Sequence, residues 1–446
     1  MPHLGIDGIA ATLLYTAEIV CFLLSVFWRP SIGLYLLMAF LPLQTVRYRL
    51  HGYFLGAQFV DVLLLGVMLG LKRQKQPVIS KTCLNAVLIA YAVYTYLSLF
   101  KGSFFLGADM PWFFDDPRLS AWKNYVVDLA LMFFVTVSAI RTKKQMGIML
   151  LVMCLGSLLL TKGFHNVIGD RDFSSFSYGL RDAGPMGWAG VNGLAAFAAQ
   201  MAIAFTAVLL FEKRLWAKGG YFAVVAACTY CLLFALSRGG YAAFLVGIIY
   251  LGLVRNRFVL IGVVVFLSMW QGFVPPAVRE RVLMTDENGM MDHSAASRLS
   301  LWEEAMQVFQ ADPIFGTGFN TYAYGSHVGG YGDTHNVFVK VLVETGLVGL
   351  LLFLAIFCKL FKIGFRLYRT ATDSFLKSIG LGLSGLMLTA FVANMFGDRW
   401  MYFEITGYTY AFAALAVRAQ QITDEGDPEE EEDAEMADSD LLATPA

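Results

Sequence analysis

Apolar stretches of close to 20 residues recur along almost the whole chain, and no other feature limits its fold so strongly. A helix needs ~20 apolar residues to cross ~30 Å of hydrocarbon. Stretches of that order lie at about 9–27, 31–46, 54–71, 82–100, 122–140, 145–162, 188–211, 219–236, 241–254, 257–274, 337–358, 375–396 and 400–418. They amount to twelve or thirteen spans, because the first two are short and closely joined. Inside lipid every backbone amide must be paired within its own segment, so the spans are helices. The predicted fold is all-α, a polytopic transmembrane bundle of 12–13 helices over residues 1–418. Composition agrees: 57% of the 446 residues are hydrophobic and 15% charged, against roughly a quarter charged in soluble proteins. There is too little polar surface to cover a soluble body.

The net charge of −1 conceals a segregation. Asp424 to Asp440 holds 11 acidic residues and no basic one, leaving 33 basic against 23 acidic elsewhere. Residues 419–446 therefore read as a disordered acidic tail. All six cysteines fall in or beside apolar stretches. Cys228 and Cys231 form a CxxC, but without a second pair or a nearby histidine they read as small buried hydrophobes. The first apolar stretch lacks a basic leader and an A-x-A site, so no cleavable signal is expected.

Lys and Arg set orientation. Alternate loops are basic: Lys72, Arg73 and Lys75; Arg141, Lys143 and Lys144; Lys213 and Arg214; Arg255 and Arg257; Lys359 to Arg369. These are placed in the cytoplasm, together with the acidic tail; the side of the N-terminus depends on the span count. The intervening loops 101–121, 163–187, 237–240 and 275–336 are then outward. The large outward loop, 275–336, predicts an amphipathic helix from about Ser297 to Gln310 with Ser300 and Glu303 in capping-box spacing. Leu299, Trp302, Met306 and Phe309 form its apolar stripe, as for a helix lying on the membrane surface. Pro313 ends it, a Gly- and Tyr-rich stretch follows, and Asp333-Thr334-His335-Asn336 leads into the next span.

Outward arginines run against the positive-inside bias and need explaining. Arg238 sits in Ser237-Arg238-Gly239-Gly240, a short turn between two apolar helices, where a guanidinium needs a partner. It either snorkels to headgroups or a carboxylate, or grips a phosphate with its planar fork. Arg298 opens the outer helix at headgroup level. Arg171, Arg181, Arg279, Arg281 and Arg399 each read as structural, yet together they make an electropositive vestibule that would suit a pyrophosphate. His335 stands at a helix N-terminus, where the dipole favours the neutral imidazole. It is either a general base or an interfacial histidine, and Asp333 could orient it. Glu344 lies within the apolar helix and must be protonated or paired. Asp115-Asp116 is an acidic pair that reads as solvated rather than as a metal site.

Several of these strings together resemble the bacterial O-antigen ligase and O-antigen polymerase superfamily. His335-Asn336, eight residues, then Thr345-Gly346 is similar to its signature, as is the continuation to Gly349. Ser237-Arg238-Gly239 at an outer helix end, Arg298 with Trp302, and the run ADPIFGTGFN through Pro313, Gly316 and Gly318 fit the same pattern. The resemblance spans roughly 180–400. It implies a helical glycosyltransferase in a bacterial inner membrane, multi-pass, with its site facing the periplasm. The substrate implied is an undecaprenyl diphosphate-linked glycan, and the acceptor another glycan, lipid A core or a protein. Arg238 and Arg298 would bind diphosphate and His335 would activate the acceptor hydroxyl, with Arg181, Asp333 and Glu344 in support. The extra first apolar segment and the acidic tail depart from the family pattern.

The expected chemistry is direct displacement at the anomeric carbon, with no cofactor, nucleotide or metal; no P-loop pattern occurs, and nothing points to nucleic acid. The competing expectation is a membrane transporter or flippase of polysaccharide or another solute. Transporters concentrate ionisable residues near the midplane in repeated halves, whereas here they gather at one surface.

Overall fold

The computed structural model describes residues 9–284, 286–287, 290–291, 293–325 and 332–426. Residues 326–331 of the Gly- and Tyr-rich stretch, parts of the polar turn between Thr285 and His293, and the acidic run beyond 426 lie outside the described residues. Each of the predicted apolar stretches coincides with a helix, and the protein is an all-α multi-pass membrane protein. Among the described residues, seven helices are long and apolar enough to cross a membrane. An eighth is reached if Arg257–Phe273 and Pro276–Leu283, bent by 116° at Pro275, count as one span. Most of the other stretches form shorter helices: Ser31–Phe40 has 10 residues, about 15 Å at ~1.5 Å per residue, too short to cross alone. The last helix, Phe403–Glu425, continues past the predicted end at 418 and takes in the start of the acidic segment.

The centre of the bundle is Gly190–Leu209, whose run GVNGLAAFAAQMAIAF is buried almost throughout. Lipid drives helices together weakly, so small side chains that permit close approach carry much of the packing. Ser374–Met395 packs against this helix and against Val337–Thr370, where Gly364 and Gly380 face each other and a Cβ on Gly364 would lie 2.8 Å from the Gly380 carbonyl oxygen.

Val337–Thr370 is two helices joined across a kink. The chain breaks at Gly346, with φ 64 and ψ −169, a left-handed φ that glycine alone adopts without penalty. The ADPIFGTGFN loop fills the break. Thr317 N–H donates to the Val343 carbonyl at 3.0 Å and Gly318 N–H to that of Glu344 at 2.7 Å, while Leu347 N–H donates to the Pro313 carbonyl at 2.9 Å. The Tyr94 hydroxyl donates to the Thr345 carbonyl at 2.6 Å. Irregular backbone beside a spanning helix is tolerable where protein satisfies its polar groups, as here. Gly316 (φ 67) and Gly346 meet so closely that a Cβ on either would lie within 2.5 Å of the other strand's backbone.

The outer helix runs His293–Ala311, starting earlier than the predicted Ser297 and ending, as expected, before Pro313. The earlier start makes Ser300 interior: its hydroxyl donates back to the Ala296 carbonyl at 3.3 Å instead of capping. Leu301 and Ala305 are buried, and Ala305 packs with Tyr322 and Val343, with Met306 and Phe309 of the predicted stripe against the same cluster. The helix therefore seats on protein along the first segment of Val337–Thr370, and of the predicted stripe Leu299 is the residue that stays exposed.

Candidate functional site

Five arginines, from five separate segments, line one narrow cavity: Arg181, Arg238, Arg281, Arg298 and Arg399. Asn192, Ser237, Gly239, Gly240 and Phe396 complete most of its wall, and among the described residues no carboxylate lines it. Its free volume is about 30 Å³, roughly the share of one water. The chain enters through Leu236 at φ 52, an unusual left-handed value for leucine, and Arg238 opens the Arg238–Val254 helix. The N–H groups of that first turn and its dipole therefore point at the cavity, an arrangement that favours anions. Gly239 is required because a Cβ there would lie 2.8 Å from Phe396 Cβ.

Several contacts hold the guanidinium groups in place. Arg238 Nη1 donates to the Met284 carbonyl at 2.6 Å. Arg181 Nη2 donates to Asn192 Oδ1 at 2.7 Å, and Ser237 Oγ to the same oxygen at 2.9 Å. Arg281, 3% exposed, sits over the rings of Phe176 and Tyr178 at 5.0 and 5.4 Å. Burial, with the like charges of Arg281 and Arg298, pushes the Arg181 guanidinium down to about 10. Cations are crowded here.

His335 does not line this cavity but stands next to it in the fold. Its φ is 51, a strained value for a non-glycine residue. Asp333 holds it: Oδ1 accepts the His335 backbone N–H at 2.7 Å and lies 2.5 Å from the ring Nδ1. Burial would raise the Asp333 carboxyl, but the His335 hydrogen bond and charge outweigh it and hold it at about 2. Asn336 then caps the next helix, accepting from Phe338 and Val339 N–H.

Two links tie the histidine turn to the arginine cavity. Trp302, one helical turn after Arg298, donates its indole N–H to the Thr334 carbonyl at 2.9 Å. Lys340, one turn after Asn336, forms an ion pair with Asp398 at 2.8 Å, both side chains nearly inaccessible. Asp398 precedes Arg399, whose guanidinium folds back over Gly397; a Cβ on Gly397 would meet it at 2.5 Å. The Tyr402 phenol is pushed up by burial, and Arg399, Asp398, Asp333 and Lys340 all act on it. One hydroxyl thus lies within electrostatic reach of both groups.

Among the residues singled out from sequence, Arg181, Arg238, Arg281, Arg298 and Arg399 are brought together, and Asp333 touches His335. Arg171 and Arg279 do not line the cavity; Arg171 is committed to Asp182 at 2.8 Å. Glu344 sits at the helix break, accepting the Tyr322 N–H at 3.1 Å, part of the joint rather than of the cavity wall. Asp116 caps Pro117–Trp122 and pairs with Arg118 at 2.7 Å. Cys228 and Cys231 are buried thiols. Asn192 and the Lys340–Asp398 pair were not read from sequence. A lysine inside an apolar helix signals that some partner exists, but nothing local names one 58 residues away.

No curated protein matches the chain. Residues 222–354 match the family model described as O-antigen ligase. The matched stretch holds Arg238, Arg281, Arg298, His335 and the break at Gly346, whereas Arg181 and Arg399 approach the same cavity from outside it. Over these residues the chain is similar to the O-antigen ligase family, whose members are glycan-transferring membrane enzymes.

Proposed function

We propose that the protein transfers a glycan from a polyprenyl diphosphate carrier, undecaprenyl diphosphate in a bacterial inner membrane, to an acceptor hydroxyl on the periplasmic face. The observation that carries this reading is the convergence of five guanidinium groups on one cavity, beside a histidine oriented by Asp333. A diphosphate is the anion that such a cluster suits, because planar forked donors match its oxygens.

With Asp333 against Nδ1, His335 presents Nε2 to the acceptor hydroxyl. As the acceptor oxygen bonds to the anomeric carbon, its proton passes to Nε2. The bond from that carbon to the diphosphate oxygen breaks, and the electron pair leaves with the carrier diphosphate. Arg238 and Arg298 stabilise the charge building on that oxygen, with Arg181, Arg281 and Arg399 behind them. Such preorganised donors are worth several kcal/mol in a water-poor site. The arginines must part as the diphosphate enters, since the free volume is far too small for it.

A ligase and a polymerase share this chemistry and differ in acceptor. The test is the sugar-lipid profile of a deletion strain complemented with wild type or His335→Ala. Wild type restores the mature product and His335→Ala leaves glycan on the carrier. Long carrier-linked chains identify a ligase and single repeats a polymerase, while full restoration by His335→Ala at normal abundance rejects the proposal. Purified protein in liposomes should retain transfer in EDTA, and loss there rejects the metal-free scheme.

A further inference from the structure

A second basic site lies at the other end of the same helices. Arg238–Val254 has 17 residues and Ser374–Met395 has 22, so they carry the chain ~25 and ~33 Å away from the arginine cavity, about a bilayer core's thickness. At their far ends Arg255, Arg369 and Lys377 line an open groove of about 680 Å³. Its walls are aromatic. The Arg255 guanidinium lies 4.4 Å over the Phe211 ring, and Tyr368, edge-on to Phe211 at 6.3 Å, donates its hydroxyl to the Val254 carbonyl at 3.3 Å.

The three cations have no counter-charge of their own. No Asp or Glu lines the groove, and among the described residues none of the three forms an ion pair. The nearby carboxylate of Asp373 is spent capping Phe375 and Leu376 N–H and faces Lys143 at 3.7 Å, in the adjoining cavity. The Ser374 hydroxyl adds a further donor. Leu253, 70% exposed, opens one wall towards the apolar belt.

We propose that this groove binds the phosphate headgroup of an anionic phospholipid in the leaflet opposite the arginine cavity, with the acyl chains leaving along the Leu253 side. Ordinary positive-inside loops scatter charge over a convex surface. Here three cations from separate elements converge on a concave, aromatic-walled recess at headgroup level, the pattern of a lipid-phosphate site. Phosphate is the recognised group, and its lipid attachment is what depth and the open apolar wall favour over a free ion.

The test uses the full chain in nanodiscs of phosphatidylcholine alone or mixed with phosphatidylglycerol, reading lipid retained in native mass spectrometry and the melting temperature. Wild type should retain phosphatidylglycerol and melt higher with it. Each of R255Q, R369Q and K377Q should weaken retention about fivefold, and the three together about a hundredfold; the single variants carry the test if the triple variant is poorly produced. As a control, K72Q/K75Q/K81Q removes equal charge from exposed positions outside the groove. The proposal fails if that control loses as much lipid as the groove variant, if the groove variants retain lipid like wild type, or if inorganic phosphate displaces the lipid, which would mark a soluble-anion site.

Discussion

The two basic regions at opposite ends of Arg238–Val254 and Ser374–Met395 carry charge of the same sign and differ in nearly everything else. The arginine cavity is narrow, about 30 Å³, built from five arginines and no lysine, with Arg281 and Arg399 buried to 3% and 7% exposure. The groove is open, about 680 Å³, and mixes arginine with lysine against aromatic walls. Burying a guanidinium is costly unless something repays it, whereas an exposed cation at headgroup level costs little. Enclosure, more than charge, separates the two, as the proposed reacting anion at one end and the proposed membrane lipid at the other would require.

Breaking the enclosed end should have the largest effects. His335→Asn separates chemistry from backbone strain, because asparagine tolerates the left-handed φ; kcat should fall about 10²–10⁴-fold with abundance unchanged in a membrane immunoblot. Arg238→Lys keeps charge but loses the fork and should lower kcat/KM about 10²-fold, measured with purified lipid-linked donor. Replacing Lys340 and Asp398 together by methionine removes a buried pair without stranding either charge. If the pair sets the spacing between His335 and the cavity, kcat falls about tenfold, donor KM stays within about twofold and the melting temperature holds, whereas a fall in melting temperature without a kcat change would make the pair structural. The smallest effect concerns pH. Asp333 titrates at about 2 when folded against 3.8 as a free side chain, so its stabilisation is complete above pH about 4 and is lost as pH falls towards 2. Melting curves of wild type and Asp333→Asn should differ above pH about 4 and converge below it.

Much of this was legible in the sequence. The 3.6-residue backbone must satisfy itself in lipid, so apolar length alone located the helices. Ser237-Arg238-Gly239-Gly240 marked a cation at a helix end, and a histidine preceding an Asn cap marked a turn. The His335-to-Gly346 spacing was visible as a string, and the fold supplies its reason: Asn336 starts a short helix that must end at a residue free to take φ 64, where Ile314 and Phe315 press against it. That the outer helix buries Leu301 and exposes Leu299 was not legible, because the two are equally apolar and only the neighbour decides which is buried. Nor was the fate of the vestibule arginines, since Arg171 differs from Arg181 only in having Asp182 within reach.

By itself the sequence determined the all-α membrane class and which residues had unusual chemistry for their depth, because hydrocarbon imposes its rules on each segment independently of the others. The tertiary structure alone decided which cations share a cavity, that Asp398 answers Lys340, and that the ADPIFGTGFN loop closes the gap at Gly346. Those are contacts between segments tens to hundreds of residues apart, and helix packing, which sets them, leaves no periodic trace in the chain.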